Sequence, residues 1–317
     1  MNLKPIVPFE PILCERGPSG PQWTAQIKWD GVRMLAYHDG RETRLVNRKR
    51  NDRTAQYPEF QDTASYCSAS SFILDGEMIS FDESKPSFHE IMRRDGLRRT
   101  AAIEAAVRTV PVVYMIFDIV YVEGEWVTDK PLSERQRLLE EVVKPGVRVQ
   151  LTGNFPDGDA LFAAMKEKGM EGIVYKDLGS LYAPDGKDGR WRKRKITRDL
   201  YAAVGGVTHR DGIVNALLLG LYAPDGRFVY VGHAGTGRLT YADWRELTRL
   251  AAELRTATRP FVNEPERHRD AVWTKPKLVV RVQYMEWTPG GTMRQPSIQA
   301  VMAGMSPADC TTDQAAR

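Results

Sequence analysis

The sequence predicts a two-domain α+β protein in which a domain of strands and helices precedes a small β-barrel. At 317 residues the chain is long for a single core and suits two domains. The earlier part of the chain alternates apolar, strand-like runs with helix signatures. The later part has short strand-like runs and a single helix, a pattern typical of small barrels. We therefore predict domains at residues 1–199 and 200–317.

Apolar runs predict strands in the first domain. The two longest are SFILDGEMISF (Ser71–Phe81) and VPVVYMIFDIVYV (Val110–Val122), and both are rich in β-branched and aromatic residues. Further along the chain, EGIVYK (Glu171–Lys176) has the same character. We expect these three segments to be strands of the first domain.

Helix signatures lie between these strands. Ser133 and Gln136 have the spacing of a capping box, which predicts that a helix begins at Ser133. Asp159 is expected to cap a second helix, and Gly169 is expected to end it. Strands and helices are therefore mixed along the first domain, which indicates the α+β class.

The second domain is predicted to be built mainly of short strands. GIVNALLLGLYAPDGRFVYVG (Gly212–Gly232) has two strand-like runs around a Pro-Asp-Gly turn, which predicts a hairpin. Thr240 and Asp243 have capping-box spacing and are expected to start the helix. In KLVVRVQYMEW (Lys277–Trp287), apolar residues alternate with mostly polar neighbours, as in a strand with one buried face.

The composition is that of an ordinary globular protein, with 42% hydrophobic and 27% charged residues. The net charge of +4 permits a polyanionic partner without requiring one. Cys14, Cys67 and Cys310 are odd in number and widely spaced, which predicts free thiols in a reducing compartment. No run approaches the ~18 apolar residues of a membrane span, so we expect a cytoplasmic protein that does not bind membranes.

Lys28 lies in a strand-like run, QIKWDGVRM, and its K-x-D-G pattern is weak when taken alone. The pattern continues to Arg33, and further short motifs follow in order: Asn47-Arg48, Leu74-Asp75-Gly76-Glu77, Phe117-Asp118, Glu171-Gly172-Ile173-Val174-Tyr175-Lys176 and Trp191-Arg192-Lys193-Arg194-Lys195. In this order and approximate spacing they resemble the motifs of the covalent nucleotidyltransferases, and among these the ATP-dependent DNA ligases. Two longer runs, Phe117–Leu139 and Leu217–Gly237, are similar to the ligase module of bacterial non-homologous end-joining ligases.

The resemblance implies a nucleotidyltransferase (adenylation) domain of antiparallel sheets with flanking helices, followed by an OB-fold barrel. It implies a ligase that uses ATP and Mg²⁺ or Mn²⁺ to seal nicks in duplex DNA through a lysyl-AMP intermediate. DNA repair, recombination or end joining is the implied process, with end-binding or repair proteins as partners. The implied form is a monomer in the bacterial cytoplasm, associated with the nucleoid.

The same resemblance makes Lys28 the adenylated nucleophile. Lysine is a poor nucleophile at neutral pH because its ordinary pKa is about 10.4, and nearby cations disfavour the ammonium form. Lys193 and Lys195 alternate on a predicted strand and therefore point to one face, where both can reach the α-phosphate. Arg192 and Arg194 are expected to face away from it.

The remaining site residues are also assigned by resemblance. Arg33 and Arg48 are expected at the phosphate or ribose, Glu77 at the ribose, Phe117 against adenine, Gln26 and Ile27 at the base, and Glu171 at the metal, with Glu77 a second metal candidate. Gln26 stands where related ligases often carry Glu. Its side-chain carbonyl is still able to accept a hydrogen bond from the adenine amino group, so we expect ATP to be preferred.

The barrel departs from the family pattern. The usual R-x-D-K motif, which orients pyrophosphate during self-adenylation, is not recognisable. Either Arg294 and another cation of the barrel take its place, or self-adenylation is slow. Two alternatives to a DNA ligase follow. One is an RNA ligase or a GTP-using capping-type enzyme, and the other is a catalytically weakened relative that only binds nucleic acid.

Overall fold

The computed structural model describes residues 3–82, 85–266 and 268–316. The chain divides into two compact units, Met1–Ile196 and Thr197–Arg317, which we call unit 1 and unit 2. The expected division after residue 199 falls just inside the first strand of unit 2, which begins at Arg198. No helix in the described part of the chain is long and apolar enough to cross a membrane.

Unit 1 mixes strands and helices. Its strands are β1 Glu10–Leu13, β2 Trp23–Ile27, β3 Val32–His38, β4 Thr43–Asn47, β5 Phe72–Asp82, β6 Lys85–Pro86, β7 Val112–Val122, β8 Glu125–Trp126, β9 Val149–Leu151, β10 Gly172–Asp177 and β11 Lys187–Lys195. Its α-helices are α1 Phe88–Asp95, α2 Thr100–Thr109, α3 Leu132–Val142 and α4 Gly158–Glu167. The three predicted strands correspond to β5, β7 and β10, with ends shifted by one or two residues.

Two sheets form the frame of unit 1. The seven-stranded sheet has the order β4-β3-β5-β7-β8, with β6 beside β5 and β9 beside β7. The four-stranded sheet has the order β1-β11-β10-β2, in which β10 is antiparallel to both neighbours. A shared buried cluster joins the sheets, with Leu35, Ile73 and Val120 from the larger sheet and Trp191 from the smaller one.

The two helix starts predicted in unit 1 were wrong in detail. α3 begins at Leu132, where Pro131 is the N-cap and no side chain caps the helix, so the Ser133 capping box does not form. α4 is capped by Asp157, whose side chain accepts a hydrogen bond from the Ala160 amide. Several polar residues near a helix start compete for the cap, and the backbone conformation of the preceding loop selects one of them.

The predicted end of α4 is confirmed. Gly169, two residues beyond Glu167, has a φ of +64°, the left-handed conformation that glycine adopts most easily. Asp159 lies inside the first turn of this helix, and its carboxylate is 2.6 Å from Arg194 Nη1.

Unit 2 is a small barrel. Its elements are β12 Arg198–Arg210, β13 Ile213–Tyr222, β14 Phe228–Ala234, α5 Tyr241–Glu253, β15 Val272–Trp273, β16 Val279–Tyr284 and β17 Ser297–Val301. The strand order is β14-β13-β12-β16-β17, with β15 beside β12. A bridge between Gly237, just beyond β14, and Ile298 of β17 joins the two ends of this order.

The sequence predictions for unit 2 are confirmed. β13 and β14 form the hairpin, and a full capping box between Thr240 and Asp243 begins α5. In β16, Val280, Val282 and Tyr284 are buried whereas Arg281 is exposed. The predicted α+β fold, with antiparallel sheets followed by a barrel, is therefore confirmed.

Candidate active site

The small sheet of unit 1 places several predicted site residues in adjacent rows. Gln26 of β2 pairs with Val174 of β10, which pairs with Lys193 of β11. The next row joins Lys28, whose amide donates to the Gly172 carbonyl at 2.9 Å, and Lys195, the register partner of Gly172. Side chains at alternate positions of a strand share a face, so these rows form one surface.

Lys28, Glu171 and Lys195 are in contact at one end of that surface. Lys28 Nζ is 2.6 Å from Glu171 Oε2, and Lys195 Nζ is 3.2 Å from Glu171 Oε1. The Glu171 side chain is only 4% exposed, whereas that of Lys28 is 22% exposed. The nucleophile candidate is therefore reachable from solvent, and a buried carboxylate holds its amine in place.

Lys193 lies beside this cluster. Burial lowers the pKa of its ammonium, and the neighbouring charges of Lys28 and Lys195 lower it further. Three lysines close together form a positive surface suited to an anionic phosphate.

Gly172 allows β10 and β11 to approach at this point. Its φ is +144°, and an added Cβ would lie 2.2 Å from the Arg194 carbonyl oxygen. A larger residue would therefore push the two strands apart and move Lys195 away from Glu171.

The position of Phe117 is determined by a β-bulge in the larger sheet. Asp75 pairs with Asp118 and Gly76 pairs with Ile116, which leaves Phe117 as the extra residue of β7. An added Cβ at Gly76 would lie 2.6 Å from the Met115 carbonyl oxygen, so glycine is required opposite the bulge. Bulges commonly redirect a side chain, and here the partly buried Phe117 ring packs edge-on against Trp191 at 6.2 Å between centroids.

Arg33 is held beneath these rings. Its guanidinium makes a two-pronged contact with Asp75, at 2.9 and 2.6 Å, and its centre is 5.2 Å from the Phe117 ring centroid. Nη1 also donates to the Phe9 carbonyl at 2.7 Å. Arg48 is different, since its side chain is 56% exposed and lies 3.2 Å from Glu10.

Glu77 is the cross-strand partner of Arg33 and lies near Lys28 and Glu171. Burial raises the pKa of its carboxyl to about 8, despite the opposing effect of Lys28 and Arg33. At pH 7 this group therefore retains a proton and is able to donate a hydrogen bond.

Gln26 is 2% exposed, and its Nε2 donates to Asn154 Oδ1 at 2.9 Å. Ile27, the next residue of β2, pairs with Ile173 and is partly buried. The amide of Gln26 is therefore oriented by a residue that the sequence patterns did not single out.

Arg192 and Arg194 lie on the opposite face of β11, as their alternation with the lysines predicts. The Arg192 guanidinium is 5.0 Å from the ring centroid of Trp23, and that of Arg194 is 3.8 Å from that of Phe162. Neither contact involves the lysine cluster.

Comparison with known proteins decides the family. A family model described as "ATP dependent DNA ligase domain" matches residues 12–195, and one described as "ATP dependent DNA ligase C terminal region" matches residues 210–302. The chain belongs to the ATP-dependent DNA ligases.

Individual relatives of this ligase-family chain agree with that assignment. The multifunctional non-homologous end joining DNA repair protein LigD of Mycobacterium tuberculosis is 31% identical over 317 residues, covering 97% of this chain and 39% of LigD. The chain thus spans about two fifths of the length of such curated relatives. The crystal structure of the ligase domain from M. tuberculosis LigD has a TM-score of 0.53 and 29% identity, covering 96% of this chain and 98% of that domain. A mycobacterial DNA ligase D complexed with ATP and MES has the same TM-score, 28% identity and the same coverage.

Arg294, the predicted pyrophosphate contact of this ligase, lies in unit 2. Its side chain is 12% exposed, and Nη1 is 2.8 Å from Glu286 Oε1. The expectation that Arg294 contacts pyrophosphate stays a prediction.

Lys176 is a member of this site to which sequence reasoning assigned no role. It is 2% exposed, and its Nζ lies 4.2 Å from the Phe117 ring centroid and 3.9 Å from that of Trp191. Within the described residues this Nζ has no hydrogen-bond partner. Its motif position was visible in the sequence, but its burial was not.

Burial lowers the pKa of Lys176 to about 7, although Asp118 and Asp75 act to raise it. Between this value and the ordinary pKa near 10.4, the unfolded chain binds more protons than the folded one, so folding stability rises with pH in that window. Lys176→Met removes this pH-dependent contribution to the free energy of unfolding. We expect the variant to gain most over wild type below pH 7, with the gain falling by up to ~1.4 kcal/mol per pH unit above it.

The measurement is the free energy of unfolding in urea at pH 6, 7.5 and 9 for wild type and variant. The exposed Lys166→Met, on α4, is the matched control and should give a difference that does not change with pH. A pH-independent difference for Lys176→Met as well would show that its amine is solvated.

Proposed function

We propose that this chain seals nicks between 5′-phosphate and 3′-hydroxyl ends in duplex DNA, and that it stores AMP as a phosphoramidate on Lys28. The observation that carries the proposal is the contact of Lys28 and Lys195 with Glu171 on one face of the small sheet. A reactive amine, a second cation and a buried carboxylate are the groups that phosphoryl transfer to lysine needs.

In the first step the Lys28 amine attacks the α-phosphorus of ATP. The N–P bond forms while the bond from phosphorus to the pyrophosphate oxygen breaks, and pyrophosphate leaves. Attack requires the neutral amine, and Glu171, at 2.6 Å, is the nearest group to receive the proton. Lys193 and Lys195 stabilise the negative charge that develops on the phosphate oxygens.

The phosphate is proposed to lie at the lysine cluster, and the ribose and base are proposed to continue from it across the surface of the small sheet. Phe117 would stack on adenine, and Gln26 and Ile27 would contact its edge. The protonated Glu77 carboxyl suits a hydrogen bond to a ribose hydroxyl. Arg33, held by Asp75, and the more exposed Arg48 would contact the ribose or phosphate.

A divalent cation, Mg²⁺ or Mn²⁺, is proposed to bind at Glu171. Glu77 is a second candidate ligand, and it would have to lose its proton to bind the cation. Within the described residues no three His, Cys, Asp or Glu side chains cluster to hold a metal ion. This fits Mg²⁺, which takes few protein ligands and completes its shell with water and substrate phosphates. The bound ion would add positive charge at the phosphates, and Glu171 would have to release Lys28 or Lys195 to accept it.

Two further transfers complete the proposed reaction. The 5′-phosphate at a nick attacks the phosphorus of lysyl-AMP, which frees Lys28. The 3′-hydroxyl then attacks the activated 5′-phosphate, the new phosphodiester forms and AMP leaves. Contacts with DNA phosphates would dominate binding and make it dependent on salt. By its similarity to LigD, the chain is proposed to act in repair or end joining, together with end-binding or repair proteins.

In the first test the chain is incubated with α-labelled ATP and Mg²⁺ and then run on a denaturing gel. In a parallel test the chain, ATP and Mg²⁺ are incubated with a nicked duplex that carries a labelled 5′-phosphate. We expect label on the protein from ATP, little from α-labelled GTP, and a sealed DNA strand. Label from GTP alone would favour a capping-type enzyme, and sealing restricted to nicks flanked by RNA would favour an RNA ligase. A chain that binds the duplex but takes no label would be the catalytically weakened relative.

A further inference from the structure

We propose that Asn154 and Gln136 are positioning residues that turn the carbonyl oxygen of Gln26 toward the nucleotide base and so select a 6-amino purine. The proposal rests on the proposed function, because it assigns the base end of the same nucleotide site. It concerns an amide relay defined by Gln136, Asn154 and Gln26, which lie on three different segments of unit 1.

The fold brings these amides together. Gln26 is on β2 and Gln136 is on α3. Asn154 belongs to the segment between β9 and α4, and its neighbour Phe155 forms an antiparallel bridge with Ala25. Both backbone hydrogen bonds of that bridge form, at 2.8 and 2.9 Å. The segment thus runs along the free edge of β2 and brings Asn154 beside Gln26.

Asn154 Oδ1 is the centre of the relay. It accepts from Gln26 Nε2 at 2.9 Å and from Gln136 Nε2 at 3.0 Å. The Thr24 hydroxyl is a third, longer donor to the same oxygen, at 3.5 Å. The two short bonds come from the amides, and each group in contact with Oδ1 is a donor. If Asn154 alone turned over, its NH₂ group would face two other NH₂ groups, so the relay holds its orientation as a unit.

This orientation decides what Gln26 offers to a ligand. Its Nε2 is committed to Asn154, and within the described residues its Oε1 has no recorded donor. Gln26 lies two positions before Lys28, which directly follows β2, and it is in the same row as Val174 and Lys193. The group presented to the nucleotide is therefore an acceptor. The 6-amino group of adenine is a donor, whereas the 6-oxo group of guanine or hypoxanthine is an acceptor that Gln26 would repel.

The experiment compares ATP with ITP, which replaces the 6-amino group by an oxygen and keeps the rest of the purine. Dissociation constants are measured by calorimetry in a Lys28→Ala background, where no covalent transfer intervenes. The relay should favour ATP by about tenfold or more, the effect of one hydrogen bond in a buried site. Asn154→Leu should remove most of that preference, because it weakens the binding of ATP and strengthens the binding of ITP.

The variant Asn154→Asp distinguishes an effect on the orientation of the Gln26 amide from a general disruption of the local fold. A carboxylate oxygen accepts from both amides, so this variant should keep the preference for ATP. Gln136→Leu should lower the preference partly, because Asn154 loses one of its two amide donors. Gln150→Leu is the matched control, since Gln150 is an exposed amide on β9 that donates to the nearby Gly146 carbonyl. It should leave the ratio unchanged.

Two outcomes contradict the relay. In the first, Asn154→Leu keeps the wild-type ratio of ATP to ITP affinity, whether or not both affinities fall. In the second, the Asp variant loses selectivity as fully as the Leu variant. Failure of the proposed function gives a different result. In that case the Lys28→Ala chain binds neither nucleotide and the wild-type chain takes no label from ATP. If Asn154→Leu does not fold, the Asp and Gln136 variants still decide the matter.

Discussion

Replacing Lys28 by alanine is expected to abolish transfer of AMP to the protein, a loss of about 10⁴-fold or more. The Lys28 amine is the proposed site of the N–P bond, and its carboxylate partner Glu171 is unable to replace it as a stable acceptor of AMP. Lys28→Arg keeps a cation beside Glu171 but removes the nucleophile. We expect Lys28→Arg to lose AMP transfer to the same degree as Lys28→Ala. This result would distinguish loss of the nucleophile from loss of the ion pair with Glu171.

The readout is the amount of label that stays on the protein in a denaturing gel after incubation with α-labelled ATP. Sealing of a nick that already carries AMP on its 5′-phosphate should persist within about tenfold, because that step needs no enzyme-bound AMP. Lys166→Ala, an exposed lysine on α4, is the matched control and should label normally. Normal labelling of Lys28→Ala would show that AMP is carried elsewhere.

Removing the β11 lysines has the second largest expected effect. Lys195→Ala takes away the cation 3.2 Å from Glu171, and Lys193→Ala removes its neighbour in the adjacent row. Each should slow formation of lysyl-AMP by about 10²- to 10³-fold, the usual cost of losing one electrostatic contact to a developing charge. Affinity for duplex DNA should change much less.

Arg192→Ala and Arg194→Ala are the matched controls on the same strand. Their guanidinium groups pack over Trp23 and Phe162 on the other face, so lysyl-AMP formation should stay within a few-fold of wild type. Single-turnover labelling measures the chemical step, and DNA binding at several salt concentrations measures the electrostatic contribution. If all four variants change only the salt dependence, the strand is a DNA-binding surface without a role in phosphoryl transfer.

Most of the architecture was predictable from the sequence, because the signals for strands, turns and helix ends are local. Apolar runs rich in β-branched and aromatic residues predicted β5, β7 and β10. Alternation of apolar and polar residues predicted β16, and the Pro-Asp-Gly turn predicted the barrel hairpin. Alternation along Trp191–Lys195 separated the lysine face from the arginine face. The ordered motifs indicated the ligase family, which the family models confirm.

The pairing of charged and polar groups depends on contacts between distant segments and was not predictable from local sequence. The side chains of Arg135 and Asp118 form a buried ion pair, and so do those of Arg94 and Glu59. Such pairs depend on which strand and helix meet in the fold. Residues 42 positions apart, in the case of Arg33 and Asp75, carry no local signal of contact.

The dependence on long-range contacts also explains which features of the candidate site the sequence did not predict. Phe117 is directed by a one-residue bulge, and register within a sheet is set by packing across strands. Asn154 reaches Gln26 across 128 residues, through a loop that adds to the edge of β2. Lys176 shares a motif with Glu171, yet its burial between two aromatic rings follows from the packing of one sheet on another. Sequence determined the groups available for the chemistry, whereas long-range packing decided their partners and orientation.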